Sequence, residues 1–264
     1  MTVNFEFFNM DNCDFHGIRT FFSGSVGKSH SIDVGSIAEL ITVTLAEDVG
    51  TCVKTDGPTS DPYGFAGIVP LSADICKDHK GVNELRKFLL KTVPEALKGR
   101  LGKDIESEGT SIVLMERFIN LPAELSSPLF KQLIDDHAHA CNEDPQFITN
   151  KVIISTPIFT ELESSLNGSD SGDEDHDNMK RSKVNKKAKK QREPRSEFEY
   201  YYGEAELLPK LADYSWDFEV DSSDRVADSK RAFSDKGIKS SRRIFVLTWE
   251  NFKKFVSQIE SYIQ

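Results

Sequence analysis

Three short stretches of the sequence carry residue types that could do chemistry, and the first resembles a phosphate-binding loop. Residues 23–29 end in Gly-Lys-Ser, with which such loops cradle nucleotide phosphates. The complete pattern requires a glycine where this chain has Phe22, and a buried strand directly before the loop. An amphipathic helical pattern precedes the segment instead. The sequence therefore favours a connection between two helices over a nucleotide site.

The second stretch, His137-Ala-His139-Ala-Cys141, contains imidazole and thiol groups of the kind that bind zinc. Residues 137 and 141 are one helical turn apart and share a face of a predicted helix. The same face continues with Phe130 and Leu133, so a histidine at the edge of the core and a buried thiol account for the spacing. We therefore predict no metal site.

The third stretch is Glu116-Arg117, a charged pair that interrupts an apolar strand pattern. The two residues either form a functional pair or make salt bridges at the end of a strand, and the second interpretation is favoured. The chain contains no Gly-x-Ser-x-Gly motif that would mark a serine nucleophile. The sequence therefore predicts no catalytic residue, no cofactor and no metal.

The remaining reactive side chains are thiols. Cys13, Cys52, Cys76 and Cys141 lack CxxC spacing, which favours ordinary thiols over a disulfide framework or a zinc site. The chain has no apolar run of about eighteen residues and no basic start followed by an apolar segment. We therefore expect a soluble intracellular protein without a membrane span or secretory signal.

The composition predicts one folded body with an insertion. The 264 residues are 38% hydrophobic and 29% charged, as is typical of globular proteins. Between residues 163 and 195 nearly every large apolar residue disappears, so burial there cannot offset the entropy of ordering. We predict that residues 1–162 and 196–264 together form one domain and that residues 163–195 form a disordered charged insertion.

The insertion holds two adjacent blocks of opposite charge. In the acidic block Ser171 has Glu174 three positions on, which suits an acid-directed kinase and makes Ser171 a candidate phosphorylation site. The basic block is typical of a nuclear import signal that an import receptor binds, the alternatives being a solvated charge run and a nonspecific RNA tether. Its members are Lys180, Arg181, Lys183, Lys186, Lys187, Lys189, Lys190 and Arg192.

The net charge of −10 conceals a more acidic body. The insertion contains nine basic and seven acidic residues, which leaves 24 of the 33 basic and 36 of the 43 acidic residues elsewhere, a net charge of −12. Such a body repels phosphate backbones, so we do not expect it to bind nucleic acid directly. It attracts basic proteins instead.

The body alternates between helical and strand patterns. Apolar residues at helical spacing predict helices over residues 14–22, 33–46, 82–97, 128–140 and 249–259. Apolar runs rich in β-branched and aromatic residues predict strands over residues 50–57, 63–71, 111–120, 147–159, 198–208 and 242–248.

The order of these elements predicts how the strands pair. The strands at 50–57 and 63–71 should form an antiparallel hairpin, and the strand, loop and helix from residue 111 onward should form a parallel crossover. The strands at 147–159 and 198–208 should form a long hairpin with the insertion at its tip. The fold class is therefore mixed α/β, with a largely antiparallel sheet of about six to seven strands flanked by helices.

The segment from Leu114 to Leu133 resembles the BCCIP family, called Bcp in fungi, in which a Glu-Arg-Phe-Ile-Asn-type strand runs into a helix start that contains proline. The motif residues here are Glu116, Arg117, Phe118, Ile119, Asn120 and Pro122. Similar segments follow the family's order at residues 3–8, 14–19, 49–54, 63–68 and 198–201. The resemblance therefore covers nearly the whole body.

The resemblance implies a GNAT-like three-layer arrangement without acetyltransferase activity. It implies a nuclear protein, shuttling to the cytoplasm, that acts as a chaperone for a basic ribosomal protein of the large subunit during ribosome biogenesis. We expect a monomer. The alternatives are an adaptor for cell-cycle or DNA-repair proteins and a GNAT-type acetyltransferase.

The residues of one turn argue against the acetyltransferase. Acetyl-CoA needs a cradle of backbone amides, usually with glycine, where a strand opens into a helix. The corresponding turn, residues 120–128, contains no glycine, and Pro122 and Pro128 lack amide donors.

Overall fold

Strands and amphipathic helices alternate along the chain in the computed structural model, which describes residues 3–26, 32–45, 50–72, 77, 79–161, 198–220 and 238–263. The basic block, Ser171 and the rest of the predicted insertion at 163–195 lie outside the described residues, so the division into domain and insertion stays a prediction. Cys76, Lys28 and Ser29 also lie outside them.

Eight strands in the described part of the chain form one sheet. They are β1 Glu6–Asn9, β2 Gly50–Lys54, β3 Gly64–Pro70, β4 Thr110–Arg117, β5 Lys151–Glu161, β6 Glu199–Tyr200, β7 Tyr214–Glu219 and β8 Ile238–Thr248. Their order is β1-β2-β3-β4-β5-β8-β7, with β6 paired to β5 off this path. Only β4 and β5 are parallel; the other paired strands are antiparallel. The predicted mixed α/β fold with a largely antiparallel sheet is confirmed.

Helices cover both faces of this sheet. They are α1 Phe15–Val26, α2 Val34–Glu39, α3 Lys80–Thr92, α4 Glu95–Glu106, α5 Ser126–Glu143 and α6 Trp249–Ile263. Successive residues of β2 show the two layers. The Thr51 hydroxyl donates to Asp136 of α5 at 3.0 Å. The Cys52 thiol lies 3.7 Å from Asp14, in the short 3-10 turn before α1.

Burial on both faces explains the sequence of the central strands. Every residue of β2, β3 and β4 is buried. Strands that are covered on both faces usually contain runs of apolar residues and not an alternation of polar and apolar residues. Aromatic side chains close the layer under α6, where Phe130 of α5 packs edge-on against Phe252 and Phe255 at ring distances of 5.9 and 5.5 Å.

Two predicted connections are confirmed. β2 and β3 pair antiparallel, with Cys52 opposite Phe65. β4, α5 and β5 form a parallel crossover, with Ile112 opposite Ile153. In each, the two strands are consecutive along the chain, and consecutive strands usually lie side by side.

The predicted single helix over residues 82–97 is wrong. Helix α3 ends at Thr92, Val93 is extended with φ −67° and ψ 137°, and α4 begins after Pro94. Proline disfavours a helical residue before it and lacks the amide donor that a continuous helix requires. The expected end of the helix at residue 97 lies inside α4 instead.

The predicted strand over residues 198–208 and its long hairpin are also wrong. β6 has two residues, opposite Ile158 and Phe159 of β5, and a 3-10 helix, Gly203–Lys210, follows. The long partner of β5 is β8, which pairs with it over residues 151–161. Pro209 inside the 3-10 helix has no amide to give to a strand ladder.

Candidate functional site

The motif residues lie where β4 ends and the chain turns into α5. The parallel ladder between β4 and β5 joins residues 110–113 to residues 151–154 and ends there. Further along, β6 occupies the edge of β5 at residues 158 and 159. The motif therefore borders a gap between two diverging parallel strands.

Tyr202 fills this gap. Its side chain is 3% exposed, and its hydroxyl donates to the Arg117 carbonyl at 2.8 Å and accepts from the Arg117 amide at 3.3 Å. The amide of Tyr201 donates to the carbonyl of Pro157 in β5 at 3.2 Å. Burial, followed by the charge of Glu116, raises the pKa of Tyr202, so the phenol stays protonated and holds this bridge.

Arg117 is the anchor of the turn. Its Nη2 donates to both carboxylate oxygens of Glu204 at 3.1 Å, and its Nη1 donates to the Leu121 carbonyl at 3.1 Å. Glu204, 1% exposed, also accepts from the hydroxyl of Ser126, the first residue of α5, at 2.8 Å. The start of a helix attracts negative charge, and here the protein's own carboxylate supplies it.

Glu116 faces the other side of the sheet and has a different partner. The Arg242 guanidinium of β8 donates to it at 2.6 Å and to the Ser155 hydroxyl of β5 at 3.0 Å. Both charged side chains are nearly buried. Glu116 and Arg117 are therefore not a functional pair with each other. Each forms a salt bridge at the strand end, as the favoured interpretation predicts.

These contacts decide what the gap can do chemically. A cofactor phosphate at the start of α5 would have to displace the Glu204 carboxylate from Ser126 and leave Arg117 without its partner. Breaking a buried pair by removing one partner costs about 3–5 kcal/mol. The arrangement therefore favours a structural junction over an anion-binding cleft.

The second half of the motif is on the surface. Phe118 is 49% exposed and Ile119 61% exposed, and Asn120 and Pro122 are exposed as well. Tyr63, 39% exposed, lies beside Phe118 with a ring distance of 5.9 Å. The motif thus divides into a buried charged half that holds the turn and an apolar half that meets solvent.

An apolar cavity lies behind the Glu116–Arg242 pair, between the sheet and the layer of α1, α2 and α3. Its walls include Phe22, Ile37 and Phe88 from the helices and Ile153 from β5. The charged groups in its wall already bind each other, so no free polar group marks it as a ligand site.

His137 and Cys52 are buried side chains with partners inside the protein. His137 is 4% exposed, and its Nε2 lies 2.9 Å from the Phe147 carbonyl and 3.0 Å from the Thr149 hydroxyl. Burial, followed by the charge of Asp14, raises the pKa of Cys52 to about 12, so this thiol stays protonated. Among the described residues, no group of three or more potential ligands could hold a metal ion.

Sequence reasoning missed three partners of the motif: Tyr202, Glu204 and Arg242. Arg242 and Glu204 lie 126 and 87 positions from the motif residues that they bind. An arginine at the start of an apolar strand was the available signal for Arg242.

None of the helices that the structure describes is long and apolar enough to cross a membrane.

Fold and site together define a mixed α/β protein whose largely antiparallel sheet contains one diverging parallel pair, closed by buried ion pairs. The BCCIP family model matches residues 1–208. The chain therefore belongs to the BCCIP family.

Curated relatives agree with this assignment. "Protein bcp1" of Schizosaccharomyces pombe is 27% identical over 98% of this chain and 89% of its own length. "Protein BCP1" of Gibberella zeae is 28% identical over 100% of this chain and 87% of its own length. The crystal structure of BCP1 from Saccharomyces cerevisiae has the same fold, with a TM-score of 0.65, 21% identity, and coverage of 98% of this chain and 89% of the other.

Proposed function

We propose that this protein is a non-enzymatic binding protein of the nucleus that escorts a basic ribosomal protein of the large subunit. Membership of the BCCIP family supports a binding protein, and the occupied gap beside α5 is consistent with that role because the protein's own side chains fill the place where a cofactor phosphate would bind. The observation that carries the proposal is the distribution of charge.

All the excess negative charge of the described residues is on the surface. These residues include 27 acidic and 19 basic side chains. The four buried acids, Asp14, Asp104, Glu116 and Glu204, are each paired with a cation, which removes equal numbers of both signs. The other acidic side chains whose burial the structure describes are exposed or half-buried and outnumber the remaining cations, so the acidic excess lies at the surface, where it steers basic proteins toward the molecule.

The surface charge is also unevenly placed. Helices α3 and α4 hold seven of the 19 basic and four of the 27 acidic described residues. The described residues outside these two helices therefore include 23 acidic and 12 basic residues. A basic client is repelled by the α3–α4 side and attracted by the rest of the surface.

Affinity purification of the full-length protein from nuclear extract tests this function. At low salt we expect a basic ribosomal protein of the large subunit to be recovered, and we expect it to be lost at high salt because exposed charge pairs are screened. Recovery of no ribosomal or assembly protein at low salt contradicts the proposal.

Two charge-reversed variants distinguish a client contact on one surface from an effect of net charge alone. Asp135→Lys with Glu143→Lys changes exposed residues of α5, and Glu95→Lys with Glu106→Lys makes the same change of net charge on α4. We expect the α5 variant to recover less client than the α4 variant. Equal recovery would mean that only net charge matters.

A further inference from the structure

Three of the seven large exposed hydrophobic side chains of the described residues lie together at the end of β4. They are Tyr63, Phe118 and Ile119, and the ring of the partly buried Phe5 contacts Tyr63 at 6.0 Å. We call these four residues the motif patch. A contiguous apolar surface of this kind marks an interaction site more often than isolated exposed side chains do.

The motif patch is held rigidly. The Phe118 ring packs on Phe21 of α1 at 5.1 Å, and the Phe118 amide donates to the Tyr63 carbonyl at 3.0 Å. Beneath it, Gly64 allows the two strands to approach closely, since a Cβ at Gly64 would lie 2.7 Å from the Arg117 Cβ. A rigid aromatic surface loses little conformational entropy when a partner binds.

The charged residues around the motif patch are mainly acidic. Glu6 follows Phe5 directly, Asp61 precedes Tyr63 by two positions, and Glu124 lies in the 3-10 turn after the motif, all three exposed. Three cations occur in β2, β4 and α1, the elements next to the motif patch. Lys54 and Arg117 are buried and paired, with Asp14 at 2.6 Å and with Glu204 at 3.1 Å.

The third cation, Arg19, is exposed on α1, two positions before Phe21. Two residues correspond to roughly 200° of helical rotation, so Arg19 points away from the side of α1 on which Phe21 supports Phe118. The exposed charged residues nearest in sequence to the motif patch are therefore the acids Glu6, Asp61 and Glu124, and α1 directs no cation at its rings.

We propose that the motif patch is the docking site for a basic segment of a partner protein that carries an apolar anchor residue. The anchor would pack against Phe118 and Ile119. Arginine or lysine side chains beside it would make cation–π contacts with the aromatic faces and ion pairs with the carboxylates around them. That this segment belongs to the escorted ribosomal protein rests on the proposed function.

Fluorescence anisotropy with the full-length protein tests the docking site. The probe is a labelled synthetic peptide rich in arginine and lysine with leucines at helical spacing, and a second peptide has serine in place of each leucine. We expect the leucine peptide to bind at least about tenfold more tightly than the serine peptide, because the anchor supplies the apolar contact.

Two exposed isoleucines provide matched variants. Ile119→Ser removes a side chain of the motif patch that is 61% exposed, and Ile148→Ser removes one that is 50% exposed outside it. We expect Ile119→Ser to weaken binding of the leucine peptide about fivefold to tenfold and Ile148→Ser to leave it unchanged. Phe118→Ala should weaken binding further, with far-UV circular dichroism to check that the variant is folded.

Three results overturn the docking proposal: equal affinity for both peptides, equal effects of the two isoleucine variants, or a homodimer in light scattering that Ile119→Ser dissociates. The last would make a second copy of this chain the occupant. If the wild type and Ile119→Ser recover a ribosomal protein equally well, the escort function stands and that client does not dock at the motif patch. If the peptide results hold and no ribosomal protein is recovered, docking stands and the escort function fails.

Discussion

Each buried carboxylate in the described part of the chain lies next to a cation from another element. Asp14 pairs with Lys54, Glu116 with Arg242, and Glu204 with Arg117. Such pairs contribute little net stability compared with apolar residues, but removing one member leaves an uncompensated charge in the core. In each pair, two elements that are distant in sequence contribute one charge apiece.

The stability cost of leaving one buried charge unpaired can be measured at the Glu204–Arg117 pair. Glu204→Gln should lower the free energy of unfolding by about 3 kcal/mol, because the Arg117 guanidinium then lacks a buried counter-charge. Glu95→Gln, on an exposed carboxylate that contacts Lys98, should change it by less than about 1 kcal/mol. Urea titrations of both variants give the comparison, and similar losses in the two would contradict the role assigned to Glu204.

His137 makes stability depend on pH. Burial lowers the pKa of its imidazole, and the charge of Lys253 acts in the same direction, although the hydrogen bond to the Phe147 carbonyl opposes this. Because a carbonyl only accepts, Nε2 carries the proton in the neutral ring. The folded protein therefore holds His137 uncharged at pH values where the unfolded chain already binds a second proton.

The contribution of His137 is therefore present above pH about 6.5 and is lost as the pH falls below that value. Between pH about 7.5 and about 5.5, His137→Gln should lose less stability than the wild type in urea titrations. His139→Gln changes a side chain that is 79% exposed and should follow the wild-type profile. A His137→Gln profile parallel to the wild type would count against a buried neutral imidazole.

At the scale of elements, the turn before β4 sets the register of the parallel pair. Gly109 has φ +78°, and its carbonyl accepts from the amides of Asn150 and Lys151 at 2.7 and 3.0 Å. A Cβ on Gly109 would lie 2.5 Å from Asn150 Nδ2 and 3.0 Å from the Ile148 carbonyl. Only glycine combines that backbone conformation with such close contact.

Two glycine-to-alanine changes should therefore have opposite signs. Gly109→Ala should destabilise the protein by about 1–3 kcal/mol through backbone strain and the contact with Asn150. Gly99→Ala, at an open position of α4, should stabilise it by up to about 1 kcal/mol, because alanine favours helix. Thermal unfolding of the two variants decides between these outcomes, and a Gly109→Ala midpoint at or above the wild type would refute the argument.

Elements that depend on short-range pattern could be predicted from the sequence, and pairings over long separations could not. The β2–β3 hairpin and the β4–β5 crossover follow from local signals. The break between α3 and α4 and the strand β7 also have local signals, namely Pro94 and the alternation of Tyr214, Trp216 and Phe218. Glu204 had no local signal, and the arginine at the start of β8 did not reveal its partner, because both partners are distant in sequence and tertiary packing alone joins them.

At the scale of the whole molecule, charge is sorted into three regions. The four buried acids of the described residues are neutralised in pairs, and the surface outside α3 and α4 is acidic. The basic block at residues 180–192 has the opposite sign. An acidic body and a basic segment attract different partners, so the proposed import signal and the proposed client binding can be tested separately by mutation.

Deleting residues 180–192 tests that separation. With a reporter large enough to prevent passive diffusion, the wild type should accumulate in the nucleus and the deletion variant should remain in the cytoplasm, because an import receptor binds clustered basic residues. Deleting residues 163–177, which include the acidic block and Ser171, should leave the protein nuclear. Purified protein that lacks residues 180–192 should still bind the leucine peptide, because none of the motif-patch residues lies in that segment. If the deletion abolished salt-sensitive RNA binding and left the protein nuclear, the basic block would be an RNA tether and not an import signal.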